Sequence, residues 1–177
     1  KAHRKPMEME HNALNIPRTF VNWYDALAFC NWLTARVMSK IEASGTNLKL
    51  KVTLPTEQQW QRAARGDNHH WEYPWGNEFD KSLCNTPDSR NRQPTPVNKY
   101  PRGASPYGVF DMSGNVWEWC LTEWITDKVD LDGERKRVVR GGSWDYLKHF
   151  ARIVHRNWFE QGEANNGTGF RIALVAG

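Results

Sequence analysis

The chain has 177 residues, 39% of them hydrophobic, enough for one domain with a sizeable core. Its net charge of +4 is mild, and Lys and Arg alternate with Asp and Glu, so no dense basic stripe exists and nucleic acid is excluded as the expected partner. No apolar run is long enough to span a membrane. Cys30, Cys84 and Cys120 form an odd set without metal-ligand spacing and read as reduced thiols of a cytoplasmic protein.

Ten tryptophans, most of them flanked by Gly, Pro, Asn or charged residues, point to a loop-rich fold pinned by large aromatics. Their indole N–H groups need partners when buried. In chain order, residues 1–19 read as a polar arm or loop, and a domain is expected over 20–177. Ala26, Phe29, Cys30, Leu33, Val37 and Ile41 recur at helical steps, with Asn22 as N-cap, Asp25 in a capping-box position and Gly45 as the stop. Leu48 to Leu54 alternates as a short strand ended by Pro55. Thr56 caps a second helix, with Trp60, Ala63 and Ala64 on its buried side and Gly66 at its end.

From Asp67 to Val109 the chain is rich in Pro, Gly, Asn and Asp and reads as irregular backbone. So long a loop inside a domain is expected to be functional or clipped by a metal. The stretch Pro106 to Cys120 follows neither helix nor strand period. Asp111 and Glu118 bracket a Gly-Asn turn in it, and two carboxylates with turned-in carbonyls make an oxygen cage suited to Ca²⁺. An alternative reading has Asp111 capping a turn and Glu118 pairing with an arginine while Trp117 and Trp119 fill a core. Beyond it, a strand or a turn is expected to begin in Trp117 to Trp124, and strands in Arg137 to Ser143, Phe150 to Val154 and Gly169 to Val175, with Asn157 to Thr168 as loop. Two early helices and short antiparallel strands later make an α+β domain.

No local catalytic signature is present: no Gly-x-Ser-x-Gly, His-Glu-x-x-His, Walker loop or Cys-x-x-Cys. The adjacent His69 and His70 read as solvated loop residues. The segment from Trp144 to Phe159 mixes Tyr, Trp, Phe, His and Asn with little net charge, the composition of a binding surface; packing of half of these aromatics into the core is the competing reading.

Five ordered motifs then carry a resemblance. They are Leu54-Pro55-Thr56-Glu57-x-x-Trp60-x-x-Ala63-Ala64-Arg65-Gly66, Tyr73-Pro74-Trp75-Gly76, Gly108 to Trp119, Arg137-Val-Val-Arg140-Gly141-Gly142-Ser143-Trp144 and Gly169-Phe170-Arg171. Together they resemble the formylglycine-generating-enzyme/sulfatase-modifying-factor family, which implies a C-type-lectin-like fold with extensive irregular loops. The family's usual opening strand and helix do not appear ahead of Asn22. The resemblance implies calcium held at Asp111 and Glu118 with the carbonyls of Gly114 and Val116. It implies a second site at Asn85, Thr86 and Asp88 with the Arg90 carbonyl.

The family's enzymes oxidise a substrate cysteine with a copper-holding cysteine pair. The matching positions here lie close to Lys148 and Ile153, and no cysteine follows Cys120, so neither copper nor catalysis is expected. A subset of the family lacks those cysteines and serves as the variable proteins of diversity-generating retroelements. Resemblance to that subset implies a ligand-binding segment at 143–170 in which Asp145, Tyr146, Leu147, His149, His155, Asn157, Trp158 and Phe159 meet a protein or other macromolecular ligand. A monomer is expected. The competing classes are an oxidase or sulfoxide synthase of the same fold, and an accessory domain of a larger signalling or defence protein.

Overall fold

The structure is a computed structural model that describes residues 15–133 and 135–177. The first fourteen residues of the expected polar arm therefore lie outside the described residues. Its last part is tied to the domain: Val97 N–H donates to the Asn15 carbonyl at 2.9 Å, and Phe20 N–H, just beyond the arm, to the Asn165 carbonyl at 2.9 Å.

Helix α1 spans Trp23–Ala43 and begins where its capping signals place it. The Asn22 side chain accepts from the Asp25 N–H at 2.9 Å, and the Asp25 carboxylate accepts from the Asn22 N–H at 3.3 Å. It buries Trp23, Ala26 and Cys30. Phe29, expected on that face, is instead 42% exposed and packs its ring on Trp32 and Phe170.

Strand β1 (Leu50–Thr53) leads to α2 (Glu57–Arg65), which is closed at its start by a Thr56/Gln59 capping box and at its end by Gly66 at φ 60°. The long loop after α2 holds only two 3₁₀ turns, Pro87–Ser89 and Pro101–Gly103, among its described residues before β2. Side-chain amides give it order. Asn85 and Asn115 are both fully buried; Asn85 Nδ2 donates to Asn115 Oδ1 at 3.1 Å, and Asn115 Nδ2 to the Thr95 carbonyl at 3.0 Å.

A four-stranded sheet forms the second layer, built from β2 (Trp117–Glu123), β3 (Lys136–Arg140), β4 (Arg156–Glu160) and β5 (Thr168–Gly169) in the order β4-β3-β2-β5. Every residue of β2 is buried, as the central position demands. A separate two-stranded sheet pairs β1 with β6 (Ala173–Ala176). The domain is α+β, as expected, with one departure from all-antiparallel pairing: β2 and β5 run parallel.

Three expectations about the strands need correction. Residues 150–154 form no strand; a 3₁₀ turn covers Lys148–Ala151. Their backbone groups are consumed by loops, since Ile153 N–H donates to the Glu72 carbonyl at 2.7 Å and the Ala151 carbonyl accepts from Ser113 Oγ at 2.7 Å. Conversely, 156–160 is the strand β4, although its polar sequence reads as loop. The apolar run 169–175 divides into β5 and β6 around Arg171, whose side chain is drawn to Glu118.

The two sheet faces carry different cores. Trp23, Trp117, Trp119, Val139 and Leu54 belong to one cluster, and Trp60, Met112, Cys120, Val138 and Ile153 to the other. Glu57 of α2 locks the second side: its carboxylate meets Arg140 at 2.6 Å and Arg156 at 2.6 Å, so one buried acid ties α2 to β3 and β4.

Candidate functional site

An aromatic face is built over Trp117. This indole, fully buried at the start of β2, is ringed by Tyr146 at 5.4 Å, Phe150 and His155 at 6.2 Å each, and Phe159 at 6.5 Å between ring centroids. Three of the four meet it close to edge-on, the arrangement aromatic quadrupoles favour, and His155 is tilted. The 3₁₀ turn Lys148–Ala151 lifts His149 and Phe150 into the ring, with His149 on Phe150 at 4.1 Å and His155 on Phe150 at 4.6 Å. Gly142 makes the turn possible: at φ 75° it faces the Phe150 carbonyl, where an added Cβ would sit 3.0 Å away.

The eight residues singled out from the sequence divide by position. Tyr146, His149, His155 and Phe159 come together on this face, all half-buried. Leu147 stands at its edge, 61% exposed. Strand alternation sends Trp158 to the opposite side of β4, where the Lys136 ammonium lies 3.5 Å from its ring centre. Asn157 uses its side-chain oxygen on the Trp158 N–H at 2.9 Å. Asp145 is exposed and accepts from Ser143 Oγ. Nothing in the sequence singles out Phe150, which the turn places at the centre.

Among the described residues, the side chains of Tyr146, His149, His155, Trp158 and Phe159 make ring, cation–π or apolar contacts and no hydrogen bond. Burial lowers the His155 pKa, reinforced by the charges of His149, Arg140 and Arg152, so this imidazole is neutral at pH 7. Burial raises the Tyr146 phenol.

In the candidate calcium loops several oxygens accept from the protein's own donors. Glu118 accepts from Arg171 through both oxygens, Nε to Oε2 at 2.5 Å and Nη2 to Oε1 at 2.6 Å, and Oε2 also takes the Trp60 indole N–H at 2.6 Å. The same Arg171 Nη2 donates to the Phe110 carbonyl at 3.1 Å. This is the arginine pairing that the spacing leaves open as an alternative; only the Gly-Phe-Arg motif signals Arg171 beforehand. Asp111 sits in the left-handed region at φ 55°, accepts from Asn115 Nδ2 at 2.8 Å, and is pushed up to about 7 by burial. Gly114 at φ 75° lies so close to the Asn85 carbonyl that an added Cβ would be 2.3 Å from it, and Val116 is buried beside it.

In the other loop the Asn85 oxygen accepts from Ser89 Oγ at 2.9 Å and Asn91 Nδ2 at 3.0 Å, while the Thr86 carbonyl takes Ser89 Oγ at 2.7 Å. Asn91 Oδ1 in turn receives the Lys99 ammonium at 2.5 Å. Asp88 is exposed, and the Arg90 N–H closes the 3₁₀ turn onto the Pro87 carbonyl. Among the described residues no group of three or more His, Cys, Asp or Glu side chains is arranged to hold a metal ion. Of the candidate oxygens, both of Glu118, the Asn85 amide oxygen and one of Asp111 accept from the protein's own donors, whereas Thr86 Oγ1 is buried without a hydrogen-bond partner among the described residues and Asp88 is exposed.

The three cysteines are free and buried. Burial pushes the Cys30 thiol up to about 11 and Cys84 up to about 12, and raises Cys120 as well. A thiol so poor in thiolate is a poor nucleophile and a poor metal ligand.

A model of the sulfatase-modifying factor enzyme 1-like domain matches residues 1–176. The inactive C-alpha-formylglycine-generating enzyme 2 of Bos taurus is 32% identical over 93% of this chain and 52% of its own length. The formylglycine-generating enzyme of Thermomonospora curvata is 31% identical over 90% of this chain and 55% of its own. Among solved structures, the Treponema denticola variable protein 1 superposes with a TM-score of 0.72 at 22% identity, covering 92% of this chain and 72% of that one. The chain thus spans about half the length, or less, of the curated relatives it matches. Those relatives include enzymes and an inactive member.

Proposed function

The chain belongs to the sulfatase-modifying factor enzyme 1-like family, and from that premise we propose that it is a non-catalytic recognition module, a variable protein of the kind made by diversity-generating retroelements. Its C-terminal segment 143–170 presents the ring over Trp117 to a macromolecular ligand, with Tyr146, Leu147, His149, His155 and Phe159 on one side and Asp145 beside it. The observation that carries the reading is the absence, among the described residues, of any hydrogen bond from those apolar and aromatic side chains into the scaffold. What holds β3, β4 and the turn is backbone pairing and the Glu57–Arg140–Arg156 cluster. Side chains so placed can be exchanged without leaving a buried polar group unsatisfied, which is the property a diversified face requires.

An oxidase or sulfoxide synthase is the second reading, favoured by the similarity to a formylglycine-generating enzyme. The experiment that separates them is oxygen consumption by the purified chain with Cu(I) or Fe(II) and a thiol-bearing peptide. No uptake above the metal-only control is expected, and turnover would overturn the proposal. The positive arm exchanges Tyr146, His149 and His155 together for Ser. A folded protein with near-parental thermal stability is expected, and collapse of the fold would count against a diversified face. We further propose that both loops around Asp111 and Asn85 are held without calcium, Arg171 and Lys99 serving as their cations.

A further inference from the structure

Beside the aromatic face lies a cleft of about 410 Å³ lined by Pro87, Arg90, Arg92, Trp144 and Asp145. It joins two stretches far apart in sequence, the loop after the first 3₁₀ turn and the residues that come after Gly141-Gly142. Arg90 and Arg92 are exposed and have no ion-pair partner among the described residues. Both stand in the left-handed region, at φ 61° and 57°, an unfavourable conformation for a residue with a long side chain.

The residue between them explains how that conformation is held. Asn91 Nδ2 donates to Asn85 Oδ1 at 3.0 Å, Ser89 Oγ at 2.9 Å and Tyr100 Oη at 2.7 Å, and its oxygen receives Lys99. With Asn91 anchored inward on the fully buried Asn85, the flanking residues are held facing out. The opposite wall is fixed as well: the Trp144 indole N–H bonds to the Asn166 carbonyl at 3.4 Å, and Asp145 accepts from Ser143.

Resting on the recognition-module reading, we propose that this cleft is the anion-binding end of the ligand site and takes an acidic side chain of a polypeptide ligand. Two guanidinium groups on a pinned loop provide the planar, multi-donor geometry that carboxylates accept. Trp144 offers a flat apolar wall for the ligand's methylene groups. Asp145 on the same wall disfavours a polyphosphate and suits a carboxylate flanked by backbone N–H donors. Anchoring of the loop through Asn91 lowers the backbone ordering paid on binding.

The test is a fluorescence-anisotropy titration of the purified chain with a labelled peptide carrying two adjacent glutamates. Parallel arms use inorganic tripolyphosphate as competitor and the same peptide with glutamine in place of glutamate. The substitutions Arg90→Gln and Arg92→Gln together should weaken binding at least about tenfold, with Arg36→Gln on α1 changing it less than about twofold as the control for bulk charge. Arginine Nε–H resonances of Arg90 and Arg92 should shift with peptide in the unsubstituted protein, an outcome independent of variant folding. No binding, equal loss with Arg36→Gln, or displacement of the peptide by tripolyphosphate at lower concentration than by unlabelled peptide would each overturn the assignment. Those failures leave the oxygen-uptake and face-exchange results untouched, so the cleft and the wider reading fall separately.

Discussion

Single residues already separate packing from polar satisfaction. Four fully buried indoles stand in the core, and three of them donate: Trp23 to the Cys120 carbonyl at 2.9 Å, Trp60 to Glu118 at 2.6 Å and Trp119 to the Val21 carbonyl at 3.0 Å. Trp117 Nε1 has no hydrogen-bond partner among the described residues. Trp60→Phe should therefore cost about 1–3 kcal/mol more than Trp117→Phe in urea denaturation, because only the former removes a hydrogen bond to a charged acceptor. Equal losses would show that volume alone decides. His155 gives a second outcome at this scale. Its imidazole is held below the ordinary histidine value first by burial and then by His149, Arg140 and Arg152. The unfolded chain binds that proton near pH 6.5 and the fold does so only at lower pH, so stability is full above about 6.5 and is lost as pH falls through the folded value. A thermal-melt series from pH 8 to pH 5 should show a decline that His155→Gln makes shallower. The abundance and flanks of tryptophan make this indole-pinned interior legible in advance. Which ring meets which is not legible, since that depends on the 3₁₀ turn at Lys148.

Elements are readable where a local signal decides them. Both helices start at the capping boxes their sequences carry, Asn22/Asp25 and Thr56/Gln59. Strand β4 is not readable, because its polar residues are satisfied by partners from other elements: Arg156 by Glu57 and Asp127 at 2.6 Å each, and Trp158 by Lys136. The split between β5 and β6 has the same origin, with Arg171 reaching back across the sheet to Glu118. That contact makes a prediction at the element scale. Arg171→Leu leaves Glu118, only 5% exposed, without its cation, and should cost about 3 kcal/mol, the lower end of the range for breaking a buried pair. Adding Glu118→Gln should recover part of the loss, since the amide oxygen still accepts from Trp60 while the uncompensated charge is gone. A double variant less stable than Arg171→Leu alone would contradict the arrangement.

For the molecule as a whole, the α+β architecture follows from the order of signals along the chain, and the lectin-like arrangement from the five motifs. The placement of the candidate site is legible in outline, since the stretch richest in mixed aromatics does form the face over Trp117. Its division is not, because alternation along β4 turns Trp158 away, and the arginine cleft draws on a loop far earlier in the chain. If the long loops are closed by amides and cations, as proposed, chelation with EDTA leaves the melting temperature within about 1 °C and added Ca²⁺ raises it by no more, because only an ion that binds the native state stabilises it. A calcium-dependent rise would support the metal cage instead. The pairing of β1 with β6 has a further consequence. Leu50 to Thr53 is joined by Ala173 to Ala176, the last of these strands to be synthesised, so this two-stranded sheet cannot close until the chain has been made through Ala176. Removing Ala173 to Ala176 would therefore leave the β1 edge unpaired, an opening that limited proteolysis would find.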